Sequence, residues 1–461
     1  MTQPRPLYSG QQPQPTGGSD RSTVELVIPN FAEYFMRNDA LELEGEERSR
    51  VIAFGGNYEC DHAVFWSRRD RVLLLPEGLD EQWFADTHEV LGLDRPPIVI
   101  PRRTSGLLVA DLLADDAALA RLDELTTGRH VRVLCFGPTR SLYELEEHLR
   151  GQGRSVELDC TAADDYWASL YLDSKLSCLD MARAGDGIRV ARGMTVSSGE
   201  ELRGALPHML RSGSVIARGP HGVAGDGSAV VRTDEDVEAF LARADEDTFF
   251  TWPLIVQEFI EHAEGVGCPA ADFHIGEDGV TEMVPCALTV ADGYSFRSVA
   301  VGAGALPQVW HERLREAVDA IGAVAHRMGY RGWICVDCVA GSDDRLYVTE
   351  VNARRSGSAP AGALLRDWSA ATGLTIAHHF MVPMESGVSY VDDIAPALER
   401  VRADGSLAFV TSVRGLGWPE PIMAVLAAAP DLETAEAVVQ RVVAELASSA
   451  SHREPEVALT S

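Results

Sequence analysis

The sequence predicts a chain of mixed α/β and α+β class, in which a parallel-sheet unit is followed by antiparallel hairpins and helices. Three observations carry this expectation. From Thr23 onward, short apolar runs rich in β-branched residues alternate with segments of helical period. Further on, SVIARGPHGVAGDGSAVVRT sets a glycine-rich loop between two strand-like runs, and WICVDCVAGSDDRLYVTEVN reads as a hairpin bearing acids.

Taken in order, residues 1–22 are rich in Pro, Gly, Gln and Ser and are expected to be a disordered tail; 451–461 form a second tail. VIAFGGN (51–57), RVLLLPEG (71–78), PPIVIPRR (96–103) and VRVLCFGP (131–138) read as strands. Helix-like segments such as LVADLLADDAALARLDEL lie between them, a βαβ layout over a parallel sheet. Gly55, Gly56 and Asn57 follow the first run, where a ligand could meet the carboxyl end of such a sheet. A tight strand-to-helix turn explains two glycines equally well. The full G-x-G-x-x-G fingerprint is absent, which sets aside a dehydrogenase.

With 461 residues and 46% hydrophobic content, the chain is long enough for about two to four domains. Its 70 acidic against 40 basic residues give a formal charge of −30, so no nucleic-acid partner and no anionic membrane surface are expected. An anionic substrate needs a local basic site. No stretch reaches the roughly 20 apolar residues that span a bilayer, and the first residues lack the apolar core of a signal peptide, so a cytoplasmic location is expected. The eight cysteines are scattered, mostly in apolar runs, as reduced core thiols would be. Cys335 and Cys338 spell C-x-x-C, but odd spacing along a strand turns them to opposite faces.

A second unit opens at DDYWASLYLDSKLSCLDMARAGDGIRVARGMTV, where Lys175 sits early in a helix and IRVARGMTV reads as a strand; a helix starts at Ser198. Arg218 then ends a strand before a loop containing Gly219, Gly222, Gly225 and Gly227. Backbone N–H groups in such a loop can approach phosphates without side-chain obstruction, and Arg218 could contact the same phosphates. A mobile hairpin loop with an exposed arginine is the plain alternative. PLIVQEFIEHAEG follows, an apolar strand running into Glu258, Phe259 and Ile260; such a hinge can offer backbone groups to an adenine edge and a carboxylate to its amine or to ribose hydroxyls. Arg297 stands near the end of a later strand.

In the acid-bearing hairpin, the run Gly332–Ala340 is apolar apart from Asp337, and Leu346–Val351 follows the turn formers Gly341 to Asp344. The hairpin places Asp337 beside Glu350 and Asn352, with Arg354 close by. Carboxylate and amide oxygens without histidine suit Mg²⁺, one or two ions, with Mn²⁺ as an alternative; Mg²⁺ usually shares its coordination with nucleotide phosphates, so the pattern points to ATP. A single acid here would be better read as a solvated strand end. Three such ligands with an arginine favour a site.

The order Lys175, Arg218 with its glycine loop, Glu258, Arg297, Asp337, then Glu350-x-Asn352-x-Arg354 resembles the ATP-grasp superfamily of carboxylate–amine ligases over about residues 166–375. The resemblance implies a nucleotide held between two subdomains of an ATP-grasp core, with a lid at about 188–255. Residues 23–165 then look like a pre-ATP-grasp domain and 376–450 like a small C-terminal α+β domain. It implies nucleotide binding by Lys175, Arg218, Gly222, Gly225, Gly227, Glu258, Phe259 and Ile260, metal ligation by Asp337, Glu350 and Asn352, and oxyanion stabilisation by Arg297 or Arg354. The nearest group is that of pheganomycin-type peptide ligases. One departure is Arg218, where the family commonly has lysine.

The activity implied is amide-bond formation through an acyl phosphate, with release of ADP and phosphate. The substrates would be amino acids or short peptides, in the biosynthesis of a specialised metabolite, with a homodimer as the candidate assembly. Asp272, His274, Tyr294, Ser295, Arg355 and Ser356 are nearby polar residues that could bind such a substrate or could equally be surface residues. Two other readings stay open: an ATP-grasp enzyme with a non-amine acceptor, and a nucleotide-binding regulatory subunit without turnover.

Overall fold

The computed structural model describes residues 22–37, 44–184, 187–222, 227–244, 250–291 and 295–450. The expected tails, Ser22 apart, lie outside them. Three sheets form among these residues.

The first sheet is parallel and runs in the order β3-β2-β1-β4-β5, from β1 (Thr23–Ile28), β2 (Arg71–Leu74), β3 (Ile98–Val99), β4 (His130–Cys135) and β5 (Val156–Leu158). Parallel strands are covered on both faces and so are apolar at nearly every position. In β1, Val24, Leu26 and Ile28 enter one core while Val27 enters another. PPIVIPRR shrinks to the two residues of β3 because Pro96, Pro97 and Pro101 have no N–H to give a ladder.

The first expected strand is a helix. Residues 51–57 complete the α-helix Gly45–Ala53 and its wider continuation Phe54–Tyr58, and the sheet begins instead at Thr23. A short apolar run does not by itself distinguish a strand from a buried helix. Here the glycines serve close packing: a Cβ on Gly55 would stand 3.5 Å from Ala32 N, and one on Gly56 would stand 3.3 Å from Ala32 Cβ. The pair lets this helix lie against the helix Phe31–Phe35. Gly55, Gly56 and Asn57 therefore form no loop at the sheet's carboxyl end.

The second sheet is antiparallel, in the order β6-β9-β7-β8, from β6 (Gly193–Val196), β7 (Val215–Arg218), β8 (Ser228–Val231) and β9 (Leu254–Glu258). IRVARGMTV thus supplies a strand only at its end. Val215, Ala217, Leu254 and Val256 form this sheet's own core, which by strand alternation leaves Arg218 and Gln257 on the other face. The helix Gly199–Leu210 starts as expected, with Ser198 Oγ accepting from Glu201 N at 3.2 Å.

The third sheet has eight strands in the order β14-β13-β10-β11-β12-β15-β17-β16. They are β10 (Cys268–Gly276), β11 (Gly279–Ala291), β12 (Ser295–Val301), β13 (Gly332–Ala340), β14 (Leu346–Asn352), β15 (Thr375–Pro383), β16 (Leu407–Ser412) and β17 (Ile422–Ala429). The C-terminal strands extend this sheet edge to edge, β15 pairing with β12. The helix Gln308–Arg327 covers one face, burying Trp310, Leu314, Val318 and Ile321 against Phe273, Ile334, Val336 and Cys338. Alternation then sends Trp333, Cys335 and Asp337 to the opposite face. All eight cysteines are buried and free. Among the described residues no helix is long and apolar enough to cross a membrane.

Candidate functional site

The hairpin of β13 and β14 carries a bulge next to its acids. Asp337 pairs with Glu350 and Cys335 with Asn352, but Cys338 pairs with Val348, so Thr349 is the extra residue. Bulges re-aim side chains, and this one keeps Glu350 opposite Asp337 while freeing the Thr349 carbonyl for another partner. Asn352 Nδ2 donates to Asp337 Oδ2 at 3.1 Å, and Asn352 Oδ1 accepts from Arg354 Nη2 at 3.0 Å. The Arg354 guanidinium lies over the rings of Phe136 and Phe35, at 5.1 and 5.9 Å from their centres. Burial, and then repulsion from Glu350, push the Asp337 carboxyl up to about 7 against the pull of Arg354.

Two cations reach this cluster from outside the hairpin. Lys175 begins the helix Lys175–Ala184, and its Nζ is 2.9 Å from Glu350 Oε1. Arg218, at the end of β7, donates through Nη1 to the Thr349 carbonyl at 2.9 Å and through Nη2 to Gln257 Oε1 at 2.5 Å. The four-stranded sheet is thereby tied to the acid hairpin. The base of the glycine loop is closed by Gly219 N donating to Gly227 O at 2.8 Å, with Gly227 at φ 70°. Gly222 is half-buried, and Gly225 lies outside the described residues.

The hinge residues follow directly on β9. Glu258 ion-pairs with Arg192 at 3.5 Å and is partly exposed, while Phe259 stacks on His262 at 6.3 Å between ring centres. The Glu258 and Phe259 amides are already engaged, donating to Arg192 O and Ser214 O at 2.9 Å each. Ile260 is half-buried beside them.

Arg297 is not brought to this cluster. In the ladder of β11 and β12, Thr289 pairs with Ser298 and Val290 with Phe296, so Arg297 is the exposed bulge residue. Three strand spacings separate β12 from β13, about 14 Å across the sheet. Of the nearby polar residues, Asp272, Arg355 and Ser356 line one recess, whereas His274 is bound to Asp159 at 3.0 Å. Tyr294 lies outside the described residues, and Ser295 opens β12.

Several residues of the site carry no sequence signal of their own. Asp173, two positions before Lys175, accepts from Ala353 N at 2.9 Å and pairs with Arg37 at 2.6 Å. Although burial alone would raise it, Arg37 and Arg354 hold its carboxyl below the usual range. Tyr34 OH donates to Ala353 O at 3.1 Å, so the parallel-sheet unit grips the segment between Asn352 and Arg354. Only the three-dimensional meeting of distant segments identifies these groups.

The side chains offer a hard divalent cation two facing carboxylates, one of them raised first by burial and then by its neighbour's charge, beside an amide whose oxygen is turned to Arg354. Among the described residues no three His, Cys, Asp or Glu side chains converge, so an ion here would need outside oxygens such as phosphate. The arrangement as folded is self-satisfied, with Lys175 on Glu350 and Arg354 on Asn352.

A family model described as a Pre ATP-grasp domain matches residues 61–150. No curated protein matches the chain by sequence. Among solved structures, the carboxyaminoimidazole ribonucleotide synthase of Aspergillus clavatus, complexed with ATP, is similar with 13% identity and a TM-score of 0.52 over 93% of this chain and 99% of that one. The biotin carboxylase of Campylobacter jejuni, in a β,γ-ATP complex, has 14% identity and a TM-score of 0.54 over 92% and 91%. The biotin carboxylase domain of Hydrogenobacter thermophilus 2-oxoglutarate carboxylase, with MgADP, ADP and bicarbonate, has 11% identity and a TM-score of 0.51 over 91% and 89%. Residues 61–150 thus resemble a pre-ATP-grasp domain, and the chain shares its fold with these nucleotide-bound synthase and carboxylase structures.

Proposed function

We propose that the protein is an ATP-dependent ligase that joins a carboxylate to an amine. The observation that carries this is the meeting of Lys175, Asp337, Glu350 and Asn352 at one bulge, with Arg218 reaching the same bulge from the glycine-loop sheet. The proposed division has a pre-ATP-grasp domain at 23–165, the core at 166–375 with its lid at about 188–255, and a C-terminal domain at 376–450.

A carboxylate is a poor electrophile, so it must first be activated. Its oxygen bonds to the γ-phosphorus of ATP, the bond to the β-phosphate oxygen breaks, and ADP leaves. Mg²⁺ held by Asp337, Glu350 and the amide oxygen of Asn352 would offset phosphate charge. Lys175, released from Glu350, turns to the phosphates, and Arg218 with Gly222, Gly225 and Gly227 covers them. Glu258, Phe259 and Ile260 border the adenosine end. In the second step the amine nitrogen bonds to the acyl carbon as the carbon–oxygen bond to phosphate breaks. Arg354 is the stabiliser for the oxyanion, since Arg297 lies three strands away. The lid keeps water from the acyl phosphate.

Resemblance to pheganomycin-type ligases supports amino acids or short peptides as substrates and a place in specialised-metabolite biosynthesis. The test is ADP release from the full chain with Mg-ATP and pooled amino acids, followed by mass spectrometry. A product equal to two substrates minus water establishes the reading. ADP release that needs bicarbonate and no amine would instead point to a carboxylating use of the fold, as in the biotin carboxylase neighbours. Nucleotide binding without ADP release would favour a regulatory subunit.

A further inference from the structure

Asp173 stands where three distant segments of the chain meet. Its Oδ1 accepts from the amide of Ala353, between Asn352 and Arg354, at 2.9 Å, and its Oδ2 accepts from Arg37 Nη2 of the parallel-sheet unit at 2.6 Å. Two residues on, Lys175 begins its helix, and Lys175 N donates to Pro220 O at 3.0 Å, at the base of the glycine loop. His221, the next residue of that loop, lies close enough for Asp173, Lys175, Arg37 and Glu350 all to act on its imidazole. One carboxylate thus adjoins every segment that carries a cation or an amide of the acid cluster, Arg218 apart.

Arg37 closes these contacts into a ring. Its guanidinium lies over the Tyr34 ring, 3.2 Å from its centre, and Nη1 donates to Tyr34 O at 2.5 Å, while Tyr34 OH donates to Ala353 O at 3.1 Å. Both backbone polar groups of Ala353 are therefore held, one by Asp173 and one by Tyr34. A neutral acceptor would satisfy the Ala353 amide equally well. The charged pair instead buries an arginine side chain, 7% exposed, whose Nε has no hydrogen-bond partner among the described residues, an arrangement that costs stability. What it gives in return is a charge-assisted bond, shorter and stronger than a neutral one, that fixes the direction of the Asp173 carboxylate.

We infer that Asp173, held by Arg37, is a positioning residue for the γ-phosphate end of the nucleotide, setting Lys175, the base of the glycine loop and the Asn352–Arg354 segment at fixed separations. Both of its oxygens are spent on protein donors, so it acts through those segments and not by touching substrate. The parallel-sheet unit thereby takes part in the work of the core, since Arg37 and Tyr34 both belong to it. Glu258, Phe259 and Ile260, at the adenosine end, follow β9 and make none of these contacts. The assignment rests on the ligase reading for the place of the phosphates, but nucleotide binding tests it without turnover.

The experiment measures, by calorimetry on the full chain, the dissociation constants of MgADP and of the magnesium complex of β,γ-imido-ATP, in wild type, Asp173→Asn, Arg37→Met and the two combined. In each variant affinity for the triphosphate analogue should fall by on the order of tenfold, while affinity for MgADP stays within about twofold of wild type. The combined variant leaves neither charge buried without its partner, so it keeps the fold where a single substitution does not. Gly373→Ala, at positive φ with open space around its Cβ position, serves as the control for lost stability and should bind both nucleotides as wild type does. Unchanged affinity for the triphosphate analogue in the combined variant, or equal weakening of both nucleotides, overturns the positioning role and leaves the ligase reading standing. Wild type that binds neither nucleotide removes that reading and this inference with it.

Discussion

Asp337 and Glu350 face each other directly across the β13–β14 ladder, beside a bulge at Thr349, with the Lys175 ammonium on the outer carboxylate. Burial and Glu350 raise the Asp337 carboxyl to about 7 from its ordinary 3.8. The stability linked to this group is therefore fully present below about pH 4 and is lost as pH rises through about 7, where folding must carry the ionised acid. Asp337→Asn cannot ionise. It should melt about 1–3 °C above wild type at pH 8, with that advantage shrinking by pH 5. It should also have no ATP turnover. Mg²⁺ should raise the melting temperature of wild type at pH 8 and not that of the variant; equal responses would remove Asp337 from the cation site.

Lys175 is 5% exposed and depends on Glu350 for its counter-charge. Glu350→Gln should abolish turnover and also cost about 1–3 kcal/mol, because a buried ammonium loses its ion pair. Adding Lys175→Met to the same chain should recover most of that stability and none of the activity. Denaturant unfolding of the single and double variants checks this. A double variant no more stable than Glu350→Gln would contradict the pairing.

Much of this hairpin was legible in sequence because an acid in an otherwise apolar strand stands out, and a short turn fixes which acids meet. Lys175, Arg218 and Glu258 were likewise marked by their positions at element ends. The opposite failure is VIAFGGN, where apolar residues and two glycines suit a strand and a turn as well as a packed helix. What decides between them is the approach of Ala32 to Gly56, which no local pattern encodes. The sheet order sets Arg297 three strands from the acids, a separation that no local pattern encodes. Asp173 and Gln257 act through partners far along the chain, so no local spacing marks them.

Arg218 holds both the Thr349 carbonyl and Gln257, two contacts that need a forked side chain. Arg218→Lys keeps the charge and can keep one contact, so it should retain substantial turnover with KM for ATP raised on the order of tenfold. Arg218→Ala should lose most activity. Steady-state kinetics with varied ATP distinguishes the cases, and equal kcat/KM in all three proteins would take Arg218 out of the site.

Asp61 is fully buried where the parallel-sheet unit meets the C-terminal strands, and Arg414 pairs with it at 2.6 Å while also reaching Glu77. Ser412 Oγ and Val413 N donate to the same carboxylate at 3.1 and 3.2 Å. Arg414→Ala leaves that acid without its cation and should destabilise by about 3–5 kcal/mol. Asp61→Asn combined with Arg414→Met should recover part of the loss, since neither replacement is charged. Chemical denaturation of the three chains decides it, and a neutral Arg414→Ala would mean that Ser412 and Val413 suffice.

Gly332 opens the strand that carries Asp337, at φ 106°, and forms a bridge to Cys160 at the end of the parallel-sheet unit. A Cβ there would stand 2.9 Å from Cys160 Cα and 3.1 Å from Asp159 O, backbone atoms that cannot rotate away. The left-handed backbone is itself unfavourable for alanine. Gly332→Ala must therefore part the two units or shift the start of β13, and with it Trp333 and, further along the strand, Asp337. It should cost about 1–3 kcal/mol and lower kcat/KM for ATP although no substrate touches it. The same substitution at Gly373, also at positive φ but with open space around its Cβ position, should lower stability alone. If both variants lose activity in proportion to stability, the loss is unfolding and not displacement of the site.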